Sequence, residues 1–255
     1  MSGFRLSQAG QTDRVREISF RFNGKQYTGF KGDSLASALI ANGVDVVGRS
    51  FKYHRPRGVV GAGVEEPNGI VQLGSGHRST PNVKATTIPL YEGLEARSVN
   101  AWPTVDIDFG AINNVFKRFI PAGFYYKTFM WPRWSLFEPA IRRAAGLGQA
   151  PKVQDVDTYT HRNAHCDVFV AGGGAAGLAA ALTAASSGLD VIIADDGAAL
   201  GGALLWDFET PEENAGQSFL EMARVTLEAA ENVTILTASS VFGYYDHNYL
   251  AIRQA

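Results

Sequence analysis

Asp167-Val168-Phe169-Val170-Ala171-Gly172-Gly173-Gly174-Ala175-Ala176-Gly177-Leu178 runs an apolar stretch too short for a helix straight into clustered glycines and then into an alanine-rich segment, Leu178 to Ser187. This is strand, tight turn and helix, with glycines in the Gly-x-Gly-x-x-Gly spacing of a dinucleotide fold. Gly172 permits the turn, Gly174 lets the backbone approach a pyrophosphate with no Cβ between, and Gly177 lets helix and strand pack closely. Gly173, Ala175 and Ala176 complete the loop and offer it their backbone. The unpaired amides and the dipole at the helix start then face phosphate. Such a motif is weak by itself and gains force from its surroundings. Leu189 to Ala194 reads as a second buried strand and delivers Asp195 at the separation expected of a carboxylate that accepts hydrogen bonds from a ribose diol. A 2′-phosphate would meet that charge, so NAD or FAD is favoured over NADP. Asp196 is the next loop residue and is more readily solvated than ligating. Leu200-Gly201-Gly202 either brings a second stretch of backbone to the cofactor or closes a simple loop.

Working outward, Ser218 to Glu231 is expected to form an amphipathic helix with Phe219, Met222, Val225 and Ala229 in reach of one face, and Val233 to Ala238 a third strand. Strand and helix alternate, which defines an α/β class with a parallel sheet. On the N-terminal side, Ile18 to Phe22 alternates apolar and polar residues, Asn23-Gly24 supplies a hairpin turn, and Gln26 to Phe30 resumes an extended pattern. Ser34 offers a cap for a short helix from Leu35 to Ala41 that Asn42-Gly43 ends. Hairpin then helix begins a β-grasp domain. Val44 to Val47 and Gly69 to Leu73 are expected strands flanking a Gly- and Arg-rich loop. Pro81 to Trp102 is extended, interrupted at Pro89 and followed by Pro103.

From Phe109 to Leu147 the chain turns aromatic, with Phe116, Phe119, Phe124, Tyr125, Tyr126, Phe129, Trp131, Trp134 and Phe137. These rings either pack a connecting segment onto neighbouring domains or subunits or line an aromatic substrate pocket. Gly146 to Arg162 looks like a hinge. The expected organisation is a β-grasp domain over 1–100, an aromatic-rich connector over 101–162 and a partial dinucleotide-binding domain over 163–255.

Composition excludes several classes. The 255 residues hold 23 Lys and Arg against 25 Asp and Glu, a formal charge of -2, which points to neither nucleic acid nor an acidic membrane surface. Hydrophobic residues make up 45%, with no run long enough to span a bilayer, and this reads as a globular cytoplasmic chain. The one cysteine, Cys166, rules out an internal disulfide and any multi-cysteine metal site within the chain. No nucleophile–base pair stands out. Ser186 and Ser187 lie on an expected helix, Cys166 begins a strand, His161 and His165 precede it, and no residue is assigned a catalytic or metal-ligating role.

Two longer stretches carry a family resemblance. Gly48-Arg49-Ser50-Phe51-Lys52-Tyr53-His54-Arg55-Pro56-Arg57-Gly58, running into Gly61-Ala62-Gly63-Val64-Glu65-Glu66-Pro67-Asn68, and the late Gly243-Tyr244-Tyr245-Asp246-His247 are similar to the α subunits of heterotetrameric sarcosine oxidases. The resemblance covers nearly the whole chain and implies NAD held by Gly172, Gly174, Gly177 and Asp195. It further implies FAD on a β subunit, FMN between subunits, and γ and δ partners. Sarcosine would yield glycine, hydrogen peroxide and a one-carbon unit taken by tetrahydrofolate. Family members continue well beyond this length, so a fragment is expected that ends within a strand at Ala255, lacks the FMN- and folate-binding residues, and does not turn over sarcosine alone.

Relatives of the N-terminal domain in amine and opine oxidoreductases bind a [2Fe–2S] cluster through a Cys-x4-Cys-x2-Cys loop, whose positions fall here on about Val60, Glu65 and Asn68. None is a thiolate, so a cluster-less ferredoxin-like domain is expected. Arg49, Lys52, His54, Arg55 and Arg57 are then either a basic surface for cofactor phosphates or an acidic partner, or a solvated loop with structural ion pairs. Besides the sarcosine oxidase subunit, two functions stay open: an amine or opine dehydrogenase subunit binding FAD at Gly172 to Gly177, and a non-catalytic assembly module.

Overall fold

A computed structural model describes residues 4–5, 12–119, 123, 129–145, 148–206 and 215–254. The chain forms two compact units, Met1–Thr158 and Tyr159–Ala255.

In the first unit, β1 (Asp13–Phe22) and β2 (Lys25–Lys31) pair antiparallel, with Phe22 opposite Lys25. Asn23 and Gly24 both have positive φ, 50° and 80°, as the two-residue turn that matches strand twist requires. Helix α1 (Leu35–Ala41) starts where the Ser34 hydroxyl accepts the Ser37 amide at 3.1 Å, and it ends ahead of Gly43 at φ 76°. Leu35, Ala36, Ala38 and Leu39 of α1 join Phe20, Phe22, Val47, Val71 and Leu94 in one buried cluster.

Beyond α1 come two short paired strands, β3 (Gly48–Arg49) and β4 (Pro56–Arg57), then β5 (Ile70–Leu73), β6 (Thr80–Lys84) and β7 (Glu95–Ser98). The main sheet runs β2-β1-β7-β5-β6, with β7 parallel to β1 and antiparallel to β5. A helix that shares one core with such a mixed sheet is the β-grasp arrangement the hairpin and helix led us to expect.

Val44 to Val47 does not form the expected strand. The Val44 amide returns to the Leu39 carbonyl at the end of α1, and Val47 is buried in the core while its amide reaches the Arg57 carbonyl. The valines are apolar because they lie against the helix, and strand pairing begins only at Gly48. Further on, α2 (Trp134–Ala145) carries an i,i+4 Glu138–Arg142 pair.

The second unit alternates β8 (Val168–Ala171), α3 (Ala175–Ser186), β9 (Val191–Ala194), α4 (Ala215–Ala229) and β10 (Val233–Leu236). The strands form a parallel sheet in the order β10-β9-β8, as the alternation predicts. All four residues of the central β9 are buried, the pattern of a strand covered on both faces. On α4 the expected face is right only at Phe219, which is partly buried against the core. Leu220, Ala223 and Leu227 are the buried residues, whereas Met222 and Val225 are exposed. At 100° per residue the buried set lies nearly opposite Met222, Val225 and Ala229, and small Ala223 shares the buried cluster with Ala181 of α3. Both sides of this helix carry apolar residues, so periodicity alone did not select the one that meets the sheet.

The chain then forms a hairpin, β11 (Ser239–Tyr245) and β12 (Tyr249–Gln254), and Ala255, on which the expected strand falls, lies outside the described residues. His247 and Asn248 sit in its turn at φ 61° and 58°. Among the described residues no helix is long and apolar enough to cross a membrane.

Leu39 is fully buried between α1 and the sheet. Leu39→Ala is expected to destabilise the first unit by about 2–5 kcal/mol, read as a lower denaturant midpoint in chemical unfolding.

Candidate functional site

The glycine loop joins β8 to α3. Gly172 takes φ 98°, and its amide bonds the Ala194 carbonyl of β9 at 2.7 Å, which ties the turn to the neighbouring strand. A Cβ on Gly177 would stand 1.9 Å from the Gly172 carbonyl oxygen, so the start of α3 packs against the turn at a distance only glycine allows. Gly174 is the N-cap of α3, with no side-chain cap bond and nothing within 4 Å of the place its Cβ would occupy. The first amides of α3, from Ala175, Ala176 and Gly177, have no partner within the helix. Leu178 is the first to bond back, to the Gly174 carbonyl at 2.9 Å. Open space and unpaired amides therefore coincide at one helix start, which suits a pyrophosphate.

Asp195 follows β9 directly and is half-buried. One of its oxygens accepts the Gly173 amide at 2.6 Å and the other the Gly197 amide at 2.8 Å. A carboxylate offers about four lone-pair sites, so two stay open for hydroxyls beyond these amides. Asp196 is exposed beside it. Gly201, at φ 140°, donates its amide to the Gly173 carbonyl at 2.8 Å, and a Cβ on Gly202 would stand 3.0 Å from the Gly174 Cα. The second glycine turn therefore folds back onto the first. Every residue from Gly172 to Gly177, with Asp195, Gly201 and Gly202, belongs to one loop cluster at the C-terminal ends of β8 and β9, while Asp196 faces solvent.

The basic loop fits in part the reading of a solvated loop with structural ion pairs, since Arg55 and Arg57 are exposed and His54 pairs with Asp108, but Arg49 departs from both readings. Arg49 turns inward: its Nε donates to the Val105 carbonyl at 2.7 Å, and its Nη atoms reach the carbonyls of His54 at 3.2 Å and Asp106 at 3.1 Å. His54, at φ 51°, is buried with Nδ1 2.6 Å from Asp108 Oδ2, and Asp108 also accepts the amides of Trp102 and Gly110 at 3.1 Å. Lys52 and Arg55 lie 4.8 and 4.9 Å from the Tyr53 ring centroid. Two of the five basic residues thus lock a backbone turn. Sequence inspection missed this because the acceptors other than the His54 carbonyl, namely the Val105 and Asp106 carbonyls and the Asp108 carboxylate, lie more than 50 residues away.

The aromatic stretch is largely exposed where it is described. Trp131 and Phe109 are 83% and 61% accessible, and Trp102 meets Phe109 edge-on at 5.2 Å. Phe124, Tyr125 and Tyr126, with the Phe119 side chain, lie outside the described residues. His161 and His165 are exposed; Ser186 and Ser187 close α3. Cys166 stands two residues ahead of β8, and burial pushes its thiol up. Among the described residues no three His, Cys, Asp or Glu side chains group as a metal site.

Residues 15–101 match the 2Fe-2S iron–sulfur cluster binding domain family, and residues 167–218 match the FAD dependent oxidoreductase family. Across its whole length the chain shares its fold with part of L-proline dehydrogenase from P. horikoshii, at a TM-score of 0.56 and 17% identity over 40% of that chain. The first unit thus holds a segment similar to ferredoxin-type domains and the second a segment similar to FAD dependent oxidoreductases. More particularly, the chain is a homologue of sarcosine oxidase α subunits. It is 51% identical to sarcosine oxidase subunit alpha of Rhizobium meliloti (strain 1021) over 97% of its own length and 25% of that protein. To the protein of that name from Corynebacterium sp. (strain U-96) it is 30% identical, over 98% of this chain and 22% of the other. The chain spans about a quarter of the length of these relatives.

The residues present do not fit the iron–sulfur cluster named by the first family. Ferredoxin-type clusters need four cysteine thiolates, and the single cysteine of this chain, Cys166, lies outside residues 15–101.

Two glycine substitutions separate packing from binding. Gly177→Ala drives its Cβ into the Gly172 carbonyl and is expected to cost about 1–3 kcal/mol, seen as a lower melting temperature. Gly174, at φ -72°, accepts a methyl group without strain. Gly174→Ala should melt like the parent yet bind dinucleotide about tenfold or more weakly in calorimetry, a loss of about 1.4 kcal/mol.

Proposed function

We propose that the chain is part of the α subunit of a flavin-dependent sarcosine oxidase and supplies NAD binding and subunit contacts. The observation that carries this reading is the 51% identity to a sarcosine oxidase α subunit over 97% of the chain. In the complete cytoplasmic complex, with β, γ and δ subunits, sarcosine is demethylated to glycine and a one-carbon unit passes to tetrahydrofolate. FAD and FMN supply the two-electron oxidation and the return of electrons to oxygen as hydrogen peroxide. The chain's own residues bind and orient: the amides of Ala175, Ala176 and Gly177 receive the pyrophosphate, and the clear space over Gly174 admits it. Asp195 takes the ribose hydroxyls with the lone pairs that Gly173 and Gly197 leave open. The Gly201-Gly202 turn closes against the loop. NAD here is a bound component of the subunit and implies no hydride transfer.

A second reading places FAD in the same cradle, as in an amine or opine dehydrogenase subunit. The match of residues 167–218 to FAD dependent oxidoreductases favours it. Denaturing the purified protein and identifying the released nucleotide by spectrum and mass separates the two. NAD without flavin supports the α-subunit reading, whereas FAD overturns its cofactor assignment. Co-purification with a flavin-bearing β subunit distinguishes the α-subunit reading from a bare assembly module. Asp195→Ala is expected to weaken nucleotide binding about tenfold or more, because it removes charge-assisted hydrogen bonds. Asp196→Ala, at an exposed site, should bind as the parent does.

A further inference from the structure

The first unit keeps the loop of an iron–sulfur domain without its thiolates, and a buried carboxylate stands at the centre of that loop. Glu66 is fully inaccessible to solvent. Its Oε2 accepts the amides of Val60 and Gly61 at 2.7 and 2.5 Å, and its Oε1 accepts those of Asn68 and Gly69 at 2.6 and 2.9 Å. Val60 and Asn68 are two of the three positions on which cluster cysteines would fall. At the third, Glu65 accepts the amides of Ala62 and Gly63 at 2.6 and 2.8 Å. The glycines let this backbone close inward: a Cβ on Gly61 would come 3.0 Å from the Glu66 Cα, and one on Gly69 would come 3.3 Å from its Cγ.

In a cluster-bearing loop, amides of this kind donate to the sulfurs of an anionic centre, and hydrogen bonds to those sulfurs help set its potential. An empty loop would leave the same donors converging on nothing, which is costly once they are buried. We propose that Glu66 replaces the iron–sulfur cluster as the internal anion that organises residues 60–69, making this ferredoxin-like unit a redox-silent module that passes no electrons. A glutamate supplies the negative charge and four acceptor positions with no metal. Gln at this position keeps the shape but turns one acceptor into an amino group facing two N–H donors.

Burial pushes the Glu66 carboxyl up, and the amides of Gly61, Asn68, Val60 and Gly69 together pull it down further, so its pKa ends below the usual carboxylate range. A group depressed in the folded state stabilises the protein above its unfolded pKa of about 4.3, and that contribution is lost as pH falls through the folded value.

The test compares the full chain with Glu66→Gln by amide hydrogen exchange. The amides of Val60, Gly61, Asn68 and Gly69 should exchange about tenfold faster or more in the variant, and the acid loss of stability below about pH 4.3 should be shallower. Unchanged exchange at these four amides overturns the proposal. A second measurement needs no variant: the parent protein is treated anaerobically with ferrous iron and sulfide and followed by visible absorbance and iron analysis. No stoichiometric cluster is expected, and a bound [2Fe–2S] centre in this unit overturns the assignment.

Discussion

Gly177 lies so close to the Gly172 carbonyl that no side chain fits between them, and the second unit is arranged around that contact. It draws the start of α3 onto the end of β8 and so leaves unpaired amides at the edge of the parallel sheet. The Ala194 carbonyl and the Asp195 carboxylate each take an amide from the same loop, which locks the ends of β8 and β9 together. The Gly201-Gly202 turn closes on them from the other side. What results is a loop whose backbone donors are already oriented by hydrogen bonds, so the nucleotide proposed for it would not need to order the loop. Such preorganisation lowers the entropic cost of binding.

The first unit solves a different problem with one recurring device. Beyond the β1–β2 hairpin its strands are short and its loops long, so many backbone amides lie outside the ladders. Three buried carboxylates gather them. Asp33 accepts the Phe30 amide and the Ser37 hydroxyl and is paired with Arg5 at 2.6 Å. Asp108 accepts two amides and holds His54. Glu66 accepts four amides without a cationic side chain among its hydrogen-bond donors. Buried charge is tolerated only where hydrogen bonds replace water, and each of these loops supplies them. The basic residues of the loop after α1 belong to the same scheme, with Arg49 and His54 turned toward backbone and carboxylate rather than toward a ligand.

Where local chemistry was decisive, the sequence could be read directly. Asn23-Gly24 specifies its turn because both residues adopt positive φ at little cost, and Ser34 announces α1 through its cap bond. The glycine spacing places the turn between β8 and α3, since Gly172 and Gly177 each answer a separate steric demand. The face of α4 and the state of Val44 to Val47 were not legible. Both segments are apolar enough for two arrangements, and the choice fell to packing, of α4 in the cluster that holds Ala181 of α3 and of Val44 and Val47 in the cluster that holds α1.

The sequence by itself determined the order of the units, the glycine cradle with Asp195, and the lack of thiolates between residues 15 and 101, because these depend on residue identity and short spacing. Only the tertiary structure decided what Glu66, His54 and Arg49 do. A carboxylate, an imidazole or a guanidinium is solvated by default; the close folding of residues 60–69 brings four amides onto Glu66, while the partners that turn His54 and Arg49 inward lie mostly more than 50 residues along the chain.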